Sequence, residues 1–87
     1  MPHNSVIVLP GTAIEVGNLA INLGLKGVEL NHIPNTDKLL FHTNLVGPGA
    51  SETIYFTAPS KPGDYTIVCT VPGHAYVMQS ILKVLPK

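Results

Sequence analysis

Charge is scarce in this sequence, and so is cysteine. Only 11% of the 87 residues are charged, Lys plus Arg balances Asp plus Glu, and the formal net charge is zero with neutral histidines. No basic patch or Lys/Arg run is present, which argues against nucleic acid or an anionic membrane as partner. No apolar run approaches the roughly 20 residues that a membrane span needs. The opening MPHNSVIVLPG lacks the charged region and long apolar stretch of a signal peptide. Any export signal is therefore expected to have been removed or to belong to a larger precursor. The single cysteine, Cys69, excludes an internal disulfide. It is a buried small hydrophobe, a reactive thiol or a metal ligand, and burial is the commonest fate of an isolated cysteine.

What is present is a globular composition, 45% apolar, in a length that suits one small domain, residues 1–87. A domain of this size buries only roughly 60% of the surface its unfolded chain exposes, so its stability margin is thin. Frequent Pro and Gly divide the chain into short elements. Strands are expected at 5–9 (SVIVL), 39–43 (LLFHT), 52–58 (ETIYFTA), 65–70 (YTIVCT) and 80–85 (SILKVL). In the fourth, Tyr65, Ile67 and Cys69 share a face by period two. Between the first two, Thr12 and Glu15 have capping-box spacing. The apolar positions Ile14, Val16, Leu19 and Leu23 predict a helix over 13–25 with that stripe as its packing face. Short strands, Pro/Gly turns and one helical insertion indicate an antiparallel β-sandwich or barrel.

The stretch CTVPGHAYVM, residues 69–78, gathers a thiol, an imidazole and a thioether. Cys69 ends a strand, Pro72 and Gly73 force a loop, and the chain can then curl back so that Cys69, His74 and Met78 approach one centre. A soft thiolate, an imidazole and a thioether suit copper. A trigonal copper site needs a second imidazole. His3, at the start of the first strand, is the candidate. His32 and His42 fall outside this pattern, as a loop and a strand residue. The bland alternatives are a solvated terminal histidine for His3, a loop histidine for His74 and core filler for Met78.

This arrangement closely resembles the cupredoxins, the type 1 blue copper proteins, in their azurin and auracyanin branch. The residues that carry the resemblance are His-Asn at 3–4, CTVPGH at 69–74, Met78, and PGDYTIVC leading into the loop. The helical insertion after HNSVIVLPGT looks most like azurin-like copper domains fused to cytochrome c. The resemblance implies a mainly β, Greek-key β-sandwich with one helical insertion. It implies His3, Cys69 and His74 as equatorial copper ligands and Met78 as a weak axial ligand. Asn4 would bond the backbone or hydroxyl of Thr70, tying the two ligand-bearing segments together. Pro2 replaces the glycine that precedes the first histidine in azurins, which argues against a fifth, carbonyl ligand. Cupredoxins normally carry further strands before the first histidine. The expectation is therefore a sandwich incomplete at the N-terminus, either truncated or completed in a homodimer.

The function implied is one-electron transfer, not enzymatic catalysis, with a redox protein such as a c-type cytochrome as partner and a periplasmic or other extracytoplasmic location. Val71, Pro72, Ala75, Tyr76 and Val77 are expected to form a docking patch around His74. The alternatives are a copper carrier or chaperone, a metal-free β-sandwich interaction module, and a Cys69/His74 nucleophilic dyad. The dyad has no evident third orienting group. A binuclear copper A centre would need a second cysteine.

Overall fold

A computed structural model describes residues 2–86. Its strands are β1 (Val6–Val8), β2 (Leu39–His42), β3 (Gly63–Val68) and β4 (Gln79–Val84), and its helix is α1 (Ala13–Ile21). The strands form one antiparallel sheet in the order β2-β1-β3-β4. β1 and β3 are central because their β-branched runs, VIV and TIV, suit strands hydrogen-bonded on both sides. Val6 lies between His42 and Val68, and Val8 between Leu39 and Thr66, with an irregularity in the β1–β2 register after Ile7. All three residues of β1 are buried.

Period two assigns the two faces of the sheet. Val6, Val8 and Val68 pack with Ala13 and Val16 of α1, with Ala75, and with the partly buried Ile33 and Leu39. The opposite face carries Ile7, Tyr65 and Cys69, all buried, and the half-buried Ile67 and Leu82. There Phe41 stacks on Phe56 with ring centroids 4.7 Å apart. Tyr65 satisfies its hydroxyl by donating to the Lys61 carbonyl at 2.7 Å.

Three local expectations are corrected. The helix buries Ala13, Val16, Gly17 and Ala20, while Ile14 is exposed. The packing face is thus the stripe of small residues, because the helix must approach its neighbours closely. α1 also ends at Ile21 rather than at 25, with Gly24 in the left-handed region at φ 58°. Second, the Thr12–Glu15 capping box does not form. The Thr12 hydroxyl donates to the Leu9 carbonyl instead, and Glu15 pairs with Lys38 at 2.6 Å. Third, residues 52–58 are not a strand. A strand needs a neighbouring ladder to satisfy its backbone, and among the described residues none pairs with this segment. Phe56 packs on Phe41 while Tyr55 stands in solvent.

Among the described residues, no helix is long and apolar enough to cross a membrane.

Candidate metal centre

The two segments that meet at the site are 66 residues apart in sequence. His3 enters from the lead into β1, held by a β-bridge to Val46: its N–H donates to the Val46 carbonyl at 3.0 Å and its carbonyl accepts the Val46 N–H at 2.7 Å. This terminal residue is therefore anchored on both backbone groups. Cys69 follows β3 directly and is buried.

The loop after Cys69 is closed by its own backbone. Gly73 adopts φ 85°, a left-handed conformation that favours glycine. That turn brings the His74 N–H to the Val71 carbonyl at 2.9 Å and starts a 3-10 turn over His74–Tyr76. Met78 then donates its N–H to the His74 carbonyl at 2.8 Å, and its own carbonyl accepts the Cys69 N–H at 3.1 Å. The Pro-Gly pair thus does what its sequence implies: it folds the loop back onto the end of β3.

His3, Cys69 and His74 converge. The Nδ1 atom of His3 lies 3.8 Å from the Cys69 sulfur, and Nδ1 of His74 lies 3.4 Å from it. All three donor atoms fall within 4.8 Å of one another. The two rings are 5.1 Å apart and tilted by 43°. First-row metal bonds of about 2.0–2.3 Å to nitrogen and sulfur, opened at 120°, would separate the donor atoms by about 3.5–3.8 Å. The two sulfur–nitrogen separations, 3.4 and 3.8 Å, are close to the sides of that triangle. One thiolate with two imidazoles in a trigonal set is the donor chemistry of mononuclear blue-copper sites. No carboxylate belongs to this cluster among the described residues, so the Cys69–His74 contact has no acidic orienting partner there.

The surroundings fix the donors. Asn4, buried beside His3, donates its amide to the Thr70 hydroxyl at 2.8 Å and accepts the Thr70 N–H at 2.8 Å. The Asn4–Thr70 tie expected from the sequence is present through both groups. Thr70 is itself held, donating its hydroxyl to the His32 carbonyl at 2.7 Å. The remaining amide hydrogen of Asn4 reaches the Asn31 carbonyl at 2.9 Å. The roles of Asn31 and His32 were not legible in advance, because they act through backbone carbonyls. The one available signal was the Asn-His-Ile-Pro turn region.

His32 is buried against Gly27, and His42 is exposed on β2 with Nδ1 against the Thr43 carbonyl at 2.9 Å. Neither joins the cluster. The expected docking patch needs revision. Val71 and Ala75 are buried at 7% and 3% exposure, beneath an exposed Pro72, Tyr76, Val77 and Met78.

The same combination of fold and donors occurs in proteins of known type. A profile of copper binding proteins of the plastocyanin/azurin family matches residues 1–85. Auracyanin-A of Chloroflexus aurantiacus is 37% identical over 84 residues, which cover 94% of this chain and 50% of that protein. Azurin of Pseudomonas aeruginosa is 28% identical, over 94% of this chain and 55% of its own length. Among solved structures, dithionite-reduced auracyanin of Roseiflexus castenholzii superposes with a TM-score of 0.82 at 39% identity, covering 99% of this chain and 68% of the other. The chain spans about half the length of the curated relatives it matches. It has the cupredoxin fold, a mainly β arrangement with a helical insertion, and it belongs to the plastocyanin/azurin family of copper-binding proteins.

Proposed function

We propose that this chain carries single electrons through one copper ion held by His3, Cys69 and His74, with Met78 as a weak axial ligand. The observation that carries this reading is the convergence of two Nδ1 atoms and one sulfur, from opposite ends of the chain, on a triangle of metal-binding size. Copper, when bound, supplies the one-electron chemistry. The protein's part is to hold the donors still. The buried Cys69 excludes water from the sulfur, the Val46 bridge fixes His3, and the closed 69–78 loop fixes His74. A donor set that does not rearrange keeps the cost of electron exchange low. Four protein ligands leave no position for a substrate, which supports a carrier rather than an enzyme.

Met78 enters by its place in the loop: its backbone is locked to both Cys69 and His74. The half-buried His74 edge, rimmed by the exposed Pro72, Tyr76 and Val77, is the proposed electron exit and the docking surface for a redox protein such as a c-type cytochrome. Near-zero net charge favours transient apolar docking over strong steering. An extracytoplasmic, periplasmic location belongs to the same reading, in keeping with the azurin and auracyanin relatives.

The reading includes a homodimer. The chain exposes 5586 Å², whereas a compact monomer of its mass exposes about 4,900 Å². The excess is close to the roughly 800 Å² per partner of a standard interface. Sedimentation of the purified chain as a monomer at micromolar concentration would remove this part of the proposal and leave the copper site standing.

Addition of Cu(II) tests the core of the reading. An intense visible thiolate-to-copper absorption is expected, and Cys69→Ser is expected to abolish it. A colourless complex would exclude a type 1 site.

A further inference from the structure

The segment between β1 and β2 grips the residue that follows each of the three converging donors. After His3 comes Asn4, whose amide donates to the Asn31 carbonyl at 2.9 Å. After Cys69 comes Thr70, whose hydroxyl donates to the His32 carbonyl at 2.7 Å. After His74 comes Ala75, packed against Gly17 of α1, and then Tyr76, whose hydroxyl donates to Asn18 Oδ1 at 2.7 Å. One insertion therefore reaches all three donors from outside the sheet.

Each grip is made where local preference has been given up. Asn31 and His32 are the non-glycine residues with positive φ among those described, both at 55°. Such a conformation is disfavoured for residues that carry a Cβ, least so for asparagine. It is held by the Asn31 side chain, which accepts the Leu45 N–H at 3.2 Å, and by the His32 N–H, which donates to the Gly27 carbonyl at 2.7 Å. The consequence is that two successive carbonyls face Asn4 and Thr70. At the other end, glycine in mid-helix is a weaker helix former than alanine. Position 17 accepts that cost because a Cβ there would overlap that of Ala75. Backbone strain and a weak helix former thus coincide with the contacts that locate the donors.

We propose that residues 12–33 are a positioning frame for the metal donors. Gly17 and Asn18 locate His74 through Ala75 and Tyr76, while the carbonyls of Asn31 and His32 locate His3 and Cys69 through Asn4 and Thr70. The frame sets the separations of the three donor atoms in the metal-free protein, and through them the absorption and the potential of the loaded site. The inference rests on the copper reading above and adds the residues, remote from the ion, that determine its geometry.

The test shifts a methyl group across the α1–loop contact. Gly17→Ala pushes Ala75 away from the helix and carries His74 with it. The loaded variant is expected to show a displaced charge-transfer absorption and a displaced midpoint potential. In the metal-free variant, the amides of residues 74–78 are expected to exchange faster than in the parent. Adding Ala75→Gly to Gly17→Ala empties the space again and is expected to restore all three readouts. Asn18→Ala, at an exposed helix position, removes the Tyr76 tie without touching the core. It is expected to move the same readouts less, and it decides the matter if Gly17→Ala does not fold. Lower melting temperature with unchanged absorption, potential and loop exchange would overturn the proposal and reduce the insertion to scaffolding. If the parent protein gives no charge-transfer absorption with Cu(II), the copper reading fails; loop exchange in the metal-free variants then decides the frame by itself.

Discussion

Asn4 and Thr70 hold each other through two hydrogen bonds of 2.8 Å, one to the threonine hydroxyl and one from its backbone N–H. Asn4 is 5% exposed and Thr70 is 1% exposed, so water can replace neither bond. Because Asn4 follows His3 and Thr70 follows Cys69, this pair is the seam between the two segments that build the site.

Asn4→Ala is expected to destabilise the metal-free protein by about 2–4 kcal/mol, since it removes three bonds, two to Thr70 and one to the Asn31 carbonyl, and leaves the Thr70 N–H buried without a partner. Thr70→Val should cost less, because the backbone N–H keeps its bond to Asn4. Denaturant unfolding of both variants checks the order. Equal losses would mean that the backbone bond is not the dominant one.

Gly73→Ala separates backbone strain from steric clash. A Cβ at this position meets nothing within 4 Å, yet φ is 85°. The expected loss is about 1–2 kcal/mol, from the left-handed conformation alone. Gly73→Asn should cost less than alanine, because asparagine tolerates this region better. Thermal unfolding of the two variants, compared at one pH, measures the difference.

Met78→Leu is expected to keep the visible absorption and raise the midpoint potential of the loaded protein, because the proposed ligand set then loses its weak axial donor to the oxidised ion. Spectroelectrochemistry gives both quantities on one sample. An unchanged potential would remove Met78 from the ligand set while leaving the trigonal donors in place.

The Glu15–Lys38 pair at 2.6 Å is a surface contact, and exposed pairs contribute little. Its hydrogen bond and charge raise the Lys38 pKa above 10.5. A raised folded-state value stabilises the protein fully below the ordinary lysine value, and this contribution disappears as the pH rises through the shifted one. Glu15→Gln should therefore unfold near the parent's midpoint at neutral pH, and any small gap between the two should close in strong alkali. A gap that widens with pH would reverse the assignment.

The sequence was most informative where residue type and spacing are tied to covalent geometry. CTVPGH requires a turn after a strand, and the structure brings Cys69 and His74 to 3.4 Å through that turn. His3 was legible through its place at the start of the first strand and through the His-Asn pair on which the resemblance to the cupredoxins rests. Strands β1–β4 lie within two residues of their expected starts, because β-branched runs bounded by Pro and Gly leave few alternatives. Residues 52–58 alternate just as well, but alternation describes what a strand would bury, not whether a neighbour exists to pair with it. The face of α1 was misjudged for a related reason. Hydrophobicity favours Ile14, whereas the contact with Ala75 selects for smallness. The carbonyls of Asn31 and His32 belong to every residue type, and only the Asn-His-Ile-Pro turn region hinted at an irregular backbone there.

His3 and Cys69 are 66 positions apart, and their side chains are within 3.8 Å. An ion shared by both closes a loop of that length, as a disulfide would in a chain with a partner for Cys69. Cross-linking a loop of this size is worth about 4 kcal/mol of unfolded-state entropy. Removal of the ion by a chelator should therefore lower the melting temperature as well as the colour, and occupancy becomes a reading of how firmly the two ends of the polypeptide are stapled.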